Sequence, residues 1–323
     1  MILVTGATGF VGSELVKQLL KSGESFRAIK RASSQIPFIL IEEKSIEWVE
    51  ADILDYFALE KALQGISKVY HCAALLSFSA EDKKKQLRIN KEGTFNLVNL
   101  CLENQIEKLI HVSSVAALGE SRDGGPVTEK MQWDFDGSQQ GYSISKYESE
   151  MEVWRAIAEG LNAVIVNPSI IIGKNAGTKG SGQIFETVRK GLKFYTSGSN
   201  GFVDVDDVVK AMIFLMKSDI SAERFILNAE NLSLKTVFTE AATAYQISPP
   251  SFEVKPWLMN IGWRGASLLS LFNGKKYGLT KDTANSAFKN ISYSGEKFLT
   301  YFPDFAFKPI KASIKEICDA SKK

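Results

Sequence analysis

Short apolar runs alternate with stretches of helical periodicity through the first half of the chain. Met1–Val4 is apolar and strand-like, and Phe10, Val11, Leu15, Leu19 and Leu20 then recur at helical spacing. Further strands are predicted at Glu24–Ile29 and Ile46–Glu50, then a helix at Asp55–Leu63 closed by Gly65. Lys68–Cys72 is a strand running into Ala73 and Ala74. Asp82–Glu103 is predicted as one long helix, with Leu87, Phe95, Leu97, Val98 and Cys101 on its apolar side. A strand at Lys108–Val112, a helix at Tyr142–Glu159 with Gly160 just past its end, and a strand at Ala163–Val166 complete the series. Repeated units of this kind predict an α/β protein with a doubly wound parallel sheet and right-handed crossovers.

The second half is looser. Asn175–Gly182 (NAGTKGSG) is a glycine-rich loop, and Ile184–Lys190 and Asp204–Met216 are helical. From Ser218 onward, short helices alternate with Pro249-Pro250, Pro256, Gly274 and Pro303, which predicts a smaller, mostly helical C-terminal lobe.

Composition narrows the classes. At 323 residues the chain suits one large α/β domain or a two-lobed enzyme. A net charge of +2 makes no case for nucleic acid or a membrane surface, and no apolar run reaches the roughly 18 residues a span needs. With a strand signal already at residue 2, no signal peptide is expected. Cys72, Cys101 and Cys318 lack metal or redox spacing, so neither disulfides nor zinc are expected, and a cytoplasmic setting fits. His71 and His111 are the only histidines, which argues against a histidine-based metal site.

Two stretches carry candidate chemistry. Gly6-x-x-Gly9-x-x-Gly12 follows a strand and opens a helix, the arrangement that cradles a pyrophosphate at a helix N-terminus. Tyr142 and Lys146, spaced i and i+4, share one helix face, and the lysine charge is expected to lower the phenol pKa from about 10. Ser113 and Ser114 end the preceding strand.

Together these motifs resemble the extended short-chain dehydrogenases/reductases, the NAD-dependent epimerase/dehydratase superfamily. TGATGFVG (Thr5–Gly12), HCAA (His71–Ala74), NKEGTFNLVNLC (Asn90–Cys101) and HVSSVAALG (His111–Gly119) all match in order. So do YSISK (Tyr142–Lys146), VNPSIIIG (Val166–Gly173), GFVDVDDVV (Gly201–Val209) and the closing segment Ser292–Cys318. The resemblance covers nearly the whole chain and is nearest the dihydroflavonol-4-reductase and 3β-hydroxysteroid dehydrogenase-like branch. It implies a dinucleotide-binding Rossmann domain over residues 1–168, rejoined at about 202–228, and a mainly substrate-binding lobe over 169–323.

Residue by residue, the resemblance implies that Ser114 holds the substrate oxygen and Tyr142 is the general acid in reduction. Lys146 would hold the nicotinamide ribose and tune Tyr142. Around the cofactor it places Gly6, Thr8, Gly9, Phe10, Val11, Gly12, Ala73, Ala74 and Leu75, with Pro168 and Ser169 at the nicotinamide end and Asp52 and Ile53 beside the adenine. Asn90 falls in the family's N-x-x-G-T motif and is taken as mainly structural, a proton relay being the alternative.

At the end of the second strand, where an NAD site places a carboxylate, the chain has Lys30 and Arg31. Two cations there favour NADP(H) over NAD(H), with Arg31 as the main contact to a 2′-phosphate and Lys30 or Ser33 assisting. Sugar-nucleotide epimerases usually carry asparagine where this chain has Ile170, and an arginine near Gly198–Phe202 where it has none. The expected reaction is therefore reduction of a ketone or aldehyde of a largely apolar small molecule. The alternatives are an NAD-using nucleotide-sugar epimerase/dehydratase and a non-catalytic dinucleotide-binding regulator. Leu75, Trp133, Phe185 and Tyr195 are candidate pocket residues. The apolar stretch Pro256–Phe272 is either a pocket wall or a core helix, with a membrane-surface helix as a third option. A homodimer through Asp82–Glu103 and Tyr142–Glu159 fits the family.

Overall fold

The computed structural model describes residues 1–77, 79–121, 124–133, 141–178, 180–259 and 287–322. Seven strands form the main sheet: β1 (Ile2–Thr5), β2 (Phe26–Lys30), β3 (Glu47–Glu50), β4 (Lys68–His71), β5 (Lys108–Val112), β6 (Ala163–Pro168) and β10 (Glu223–Leu227). Their order is β10-β6-β5-β4-β1-β2-β3, and every pairing is parallel. The strand order reverses between β1 and β4, the kind of switch point beside which open α/β sheets place their ligands, outside the strands' carboxyl ends. Thr5 pairs with His71, His71 with His111 and Val112 with Val166, so β1, β4, β5 and β6 finish almost level.

Both faces of this sheet are covered, which explains why its strands are apolar throughout rather than alternating. Val4, Tyr70, Ile110 and Val164 pack into the core that also holds residues of α1 (Phe10–Lys21) and α7 (Val205–Lys217). Leu3, Val69, Leu109 and Ile165 share the opposite core with α2 (Tyr56–Leu63), α4 (Gly93–Glu103) and α5 (Gly141–Ala158). Helix starts follow local chemistry: Asp55 accepts the Ala58 N–H at 3.0 Å, and Asp204 accepts the Asp206 N–H at 2.8 Å.

The expected helix over Asp82–Glu103 is not uniform. It comprises α3 (Lys83–Leu87), a π-helical turn over Arg88–Glu92, and α4. The wide turn carries buried Asn90, whose side chain bonds the Leu75 backbone rather than a group within the helix.

The second lobe carries more strand than its periodicity predicts. β7 (Ile170–Ile172), β9 (Ser199–Asp204) and β11 (Glu230–Ser233) form a three-stranded sheet, and β8 (Phe194–Tyr195) pairs with β12 (Phe252–Glu253). These segments are two to six residues long, too short to display a period of two against their glycine and proline neighbours. Packed with them are α6 (Gly182–Arg189), α8 (Leu234–Tyr245), α9 (Glu296–Tyr301) and α10 (Ile310–Ala320). Ile172, Phe185, Phe202, Val237, Ile310 and Ile314 make this lobe's core. Phe298 on α9 is fully buried and meets Phe225 on β10 edge-to-face at 5.9 Å, which ties the closing segment to the main sheet.

Candidate active site

The glycine turn is built by close backbone approach. Gly6 has φ +65°, and a Cβ there would lie 2.5 Å from the Ala73 nitrogen, so β1 turns hard against the end of β4. A Cβ on Gly12 would land on the Gly6 carbonyl, which locks α1 against the turn. Gly9 caps α1 with no side-chain bond and no acidic residue in the first turn, leaving its N–H groups for an anion. Thr8 is partly buried and Gly9 exposed, with Phe10 and Val11 opening the helix. This cradle fits a dinucleotide pyrophosphate.

Lys30 ends β2 half-buried, and Arg31 and Ser33 beyond it are exposed. Among the described residues, neither the Lys30 nor the Arg31 side chain has a hydrogen-bond or ion-pair partner. Asp52 accepts the Leu54 N–H at 2.9 Å in a local turn. Ile53 is 7% exposed, with its side chain against Gly93. Ala74 is exposed, while the Ala73 N–H donates to Thr5 Oγ1 at 3.2 Å.

Asn90 holds the next stretch of backbone at both ends. Its Oδ1 accepts the Leu75 N–H at 2.7 Å, and its Nδ2 donates to the Leu75 carbonyl at 3.1 Å and to Ser145 Oγ at 3.0 Å. Ser145 in turn donates to the Tyr142 carbonyl at 2.8 Å, so the start of α5 and the segment after β4 are fixed together. Beside them runs a buried polar ladder: Thr5 Oγ1 to His71 Nδ1 at 2.7 Å, His71 Nε2 to Thr94 Oγ1 at 3.0 Å, and Thr94 Oγ1 to Ser149 Oγ at 2.7 Å. The His71 and His111 rings are 5.1 Å apart. Burial pushes His71 down to about 3 and His111 well below the usual imidazole value. Among the described residues, no cluster of acidic, histidine or cysteine side chains could hold a metal.

Ser114 follows β5 in extended conformation and accepts the Ala116 N–H at 3.1 Å. Its side chain is hydrogen-bonded to the Tyr142 phenol. Lys146, one turn further along α5, is 3% exposed and donates to the Val112 carbonyl at 2.8 Å. Burial raises the Tyr142 phenol, and the Ser114 hydrogen bond opposes that shift. This corrects the expectation that Lys146 sets a lowered phenol pKa: in this arrangement desolvation dominates, and the ammonium is turned onto a backbone carbonyl. Lys146 itself is lowered to about 8 by burial, against the attraction of Glu150. Ser169 is 6% exposed and bonds the Leu227 carbonyl at 3.3 Å, immediately after Pro168 ends β6.

A family model described as "NAD dependent epimerase/dehydratase family" matches residues 2–228. The chain belongs to that family. A Synechocystis sp. protein named "Putative dihydroflavonol 4-reductase" is 31% identical, over 91% of this chain and 87% of its own length. "Anthocyanidin reductase" of Arabidopsis thaliana is 28% identical, over 72% of this chain and 77% of its own. The crystal structure of gox2253 matches with TM-score 0.85 and 30% identity, over 100% of this chain and 98% of that one. The Bordetella bronchiseptica enzyme WbmH, solved in complex with NAD+, shares the fold at TM-score 0.79 and 17% identity, over 100% of this chain and 98% of that one. This epimerase/dehydratase-family chain is an NAD(P)-dependent oxidoreductase of the dihydroflavonol-reductase-like branch.

Not every candidate of the epimerase/dehydratase family pattern reaches the site. Phe185 is 3% exposed inside the second lobe's core, because α6 turns its apolar side there, so it lines no pocket. Trp133 stacks on Tyr147 at 4.7 Å, and Tyr195 lies under the Lys235 ammonium at 4.7 Å. Of Pro256–Phe272, Trp257 and Leu258 are exposed, and residues 260–272 lie outside the described residues. No helix among the described residues is long and apolar enough to cross a membrane.

Sequence reasoning missed the buried support behind Ser114, formed by Glu150, Asn167 and Arg224. Glu150 continues the Tyr142–Lys146 spacing by one more turn, a signal available in the sequence. Its partner Arg224 lies 74 positions away on β10, and nothing local announces it.

Proposed function

We propose that this protein is an NADP(H)-dependent reductase acting on a ketone or aldehyde of a largely apolar small molecule. The observation that carries the reading is the Ser114–Tyr142 hydrogen bond at the carboxyl edge of the sheet, with Lys146 one turn below. When bound, the reduced nicotinamide supplies the hydride. Tyr142 donates the proton: its raised pKa keeps the phenol protonated near neutrality, so a proton is in place before reduction begins. Ser114 donates its one hydroxyl proton to the substrate oxygen and holds it for the transfer. Lys146, cationic below about pH 8, holds the nicotinamide ribose and offsets the phenolate charge.

The unpaired Lys30 and Arg31 side chains, with no carboxylate at the end of β2, support NADP(H). An apolar substrate is supported by the relatives' printed names, reductases of dihydroflavonol and anthocyanidin among them. Under this reading residues 1–168 with the return at about 202–228 bind the cofactor, and 169–323 shape the substrate. The reading includes a homodimer through α3–α4 and α5, where Phe95 is 44% exposed beneath the Arg155 guanidinium. A monomer in analytical ultracentrifugation would exclude that dimer.

The test is a nicotinamide-fluorescence titration with NADPH and then NADH, followed by a screen of hydrophobic ketones and aldehydes. NADPH should bind at least tenfold more tightly. Tyr142→Phe should keep NADPH affinity and lose about a hundredfold or more in turnover. Equal NADH binding would sink the phosphate site and bring the sugar-nucleotide epimerase forward. Unchanged turnover in Tyr142→Phe would sink the catalytic assignment.

A further inference from the structure

Glu150 is a carboxylate with no exposure to solvent, in the middle of α5. A buried carboxylate without partners would take up a proton rather than stay charged. This one has a donor for each of about four acceptor positions. Oε2 accepts from Ser113 Oγ at 2.6 Å and from Asn167 Nδ2 at 2.8 Å. Oε1 accepts from Arg224 Nη1 at 3.0 Å and from Trp154 Nε1 at 3.2 Å. The four donors come from the end of β5, from β6, from β10 and from the next turn of α5.

The donors are themselves held. Arg224 also donates to the carbonyls of Glu129 at 2.6 and 2.9 Å and of Met131 at 3.0 Å. Asn167 Nδ2 donates a second bond to the Ser114 carbonyl at 3.0 Å, while its buried Oδ1 has no partner among the described residues. Turning that amide over would face its oxygen at two acceptors, so the orientation is settled by the acceptors it serves.

Glu150 stands four residues beyond Lys146, as Lys146 stands four beyond Tyr142, so the three share one helix face. We propose that Glu150 is a positioning residue of this site: ringed by Ser113, Asn167, Trp154 and Arg224, it supplies a fixed negative charge one helical turn beyond Lys146, whose ammonium bonds the Val112 carbonyl next to Ser113. The proposal rests on the reading of Lys146 as the cofactor-ribose residue. Among the described residues, the titratable groups around Lys146 are Tyr142 and Glu150 on its own helix, His71 at the end of β4 and Cys72 just after it, His111 from β5, and Arg224 from β10 across Glu150. His71 and His111 are held neutral by burial and Cys72 stays a thiol. Glu150 is therefore the one fixed anion in this set. It opposes the desolvation that would strip the proton from Lys146 near neutrality.

The experiment follows NADPH affinity by nicotinamide fluorescence from pH 6.5 to 9.5 in the full chain. In the wild type, affinity falls as Lys146 loses its proton, and Lys146→Met should remove that limb. Glu150→Gln keeps the size and removes the charge. Its midpoint should move down by about one pH unit, weakening binding roughly fivefold at pH 8 while leaving it little changed at pH 6.5. Glu150→Asp keeps the charge and should hold the wild-type midpoint within about half a unit, which separates charge from packing and serves if the glutamine variant does not fold. An unmoved midpoint in Glu150→Gln, an equal drop in Glu150→Asp, or a limb that persists in Lys146→Met would each overturn the proposal. A wild type that binds neither NADPH nor NADH would instead overturn the cofactor reading itself.

Discussion

Asn90 offers the sharpest quantitative test of how the site is assembled. It is 1% exposed on the π turn and makes three side-chain hydrogen bonds of 2.7 to 3.1 Å. In Asn90→Ala the consequences differ atom by atom. The Leu75 carbonyl keeps a partner, because Gln86 Nε2 donates to it at 3.0 Å. Ser145 Oγ keeps its bond to the Tyr142 carbonyl. The Leu75 N–H is left without an acceptor, a cost of about 1–2 kcal/mol in a part-buried setting. The lost bond to Ser145 and the space left by the amide add about 1 kcal/mol each. The sum is roughly 3–4 kcal/mol, read by urea unfolding at pH 7 and as a fall of about 4–6 °C in Tm. NADPH affinity should fall as well, since Leu75 follows the Ala73–Ala74 segment that closes on the glycine turn. Asn90→Asp should be worse at pH 7 than at pH 5. Its carboxyl would be buried against the Leu75 carbonyl, its folded pKa would rise, and stability would then fall as pH rises. A change in unfolding free energy below about 0.5 kcal/mol for Asn90→Ala would refute the hydrogen-bond accounting. Water would then be satisfying Leu75 as well as the amide does.

Two further outcomes follow from the site's charges. Arg31→Ala should weaken NADPH binding about tenfold and leave NADH binding within twofold, because only NADPH offers a phosphate to the lost guanidinium; equal weakening of both would remove Arg31 from the phosphate site. Stability should fall on acidification below about pH 6.5, because the unfolded chain takes up a proton that His71, lowered to about 3 in the fold, refuses, and His111 shifts in the same direction. The slope approaches about 1.4 kcal/mol per pH unit for each histidine, and urea midpoints that match at pH 7 and pH 5 would contradict the buried neutral pair.

The legible part of this protein was the part that repeats locally. The strand–glycine–helix start showed as Gly6, Gly9 and Gly12, because each glycine answers a steric demand within a few residues of itself or against one neighbouring strand. Tyr142 and Lys146 were legible because a helix places i and i+4 together whatever packs on it. The short strands β7, β8, β9, β11 and β12 were not legible, since at two to six residues they are too short to display a strand period. The break at Arg88–Glu92 was hidden for a related reason. A π turn is selected by what Asn90 must reach outside the helix, and hydrophobic spacing reports only the face turned inward.

By itself, then, the sequence determined the alternation of strand and helix, the strand–glycine–helix turn, and the tyrosine–lysine face, all products of short-range geometry. Only the tertiary structure decided the electrostatics. Whether the Tyr142 phenol rises or falls depends on how deeply it is buried and on the Ser114 hydroxyl. Whether Glu150 finds its hydrogen-bond donors depends on Ser113, Asn167 and Arg224 arriving from the end of β5, from β6 and from β10. Desolvation and charge pairing are properties of a surrounding volume, and a one-dimensional pattern contains no volume until the chain has closed around it.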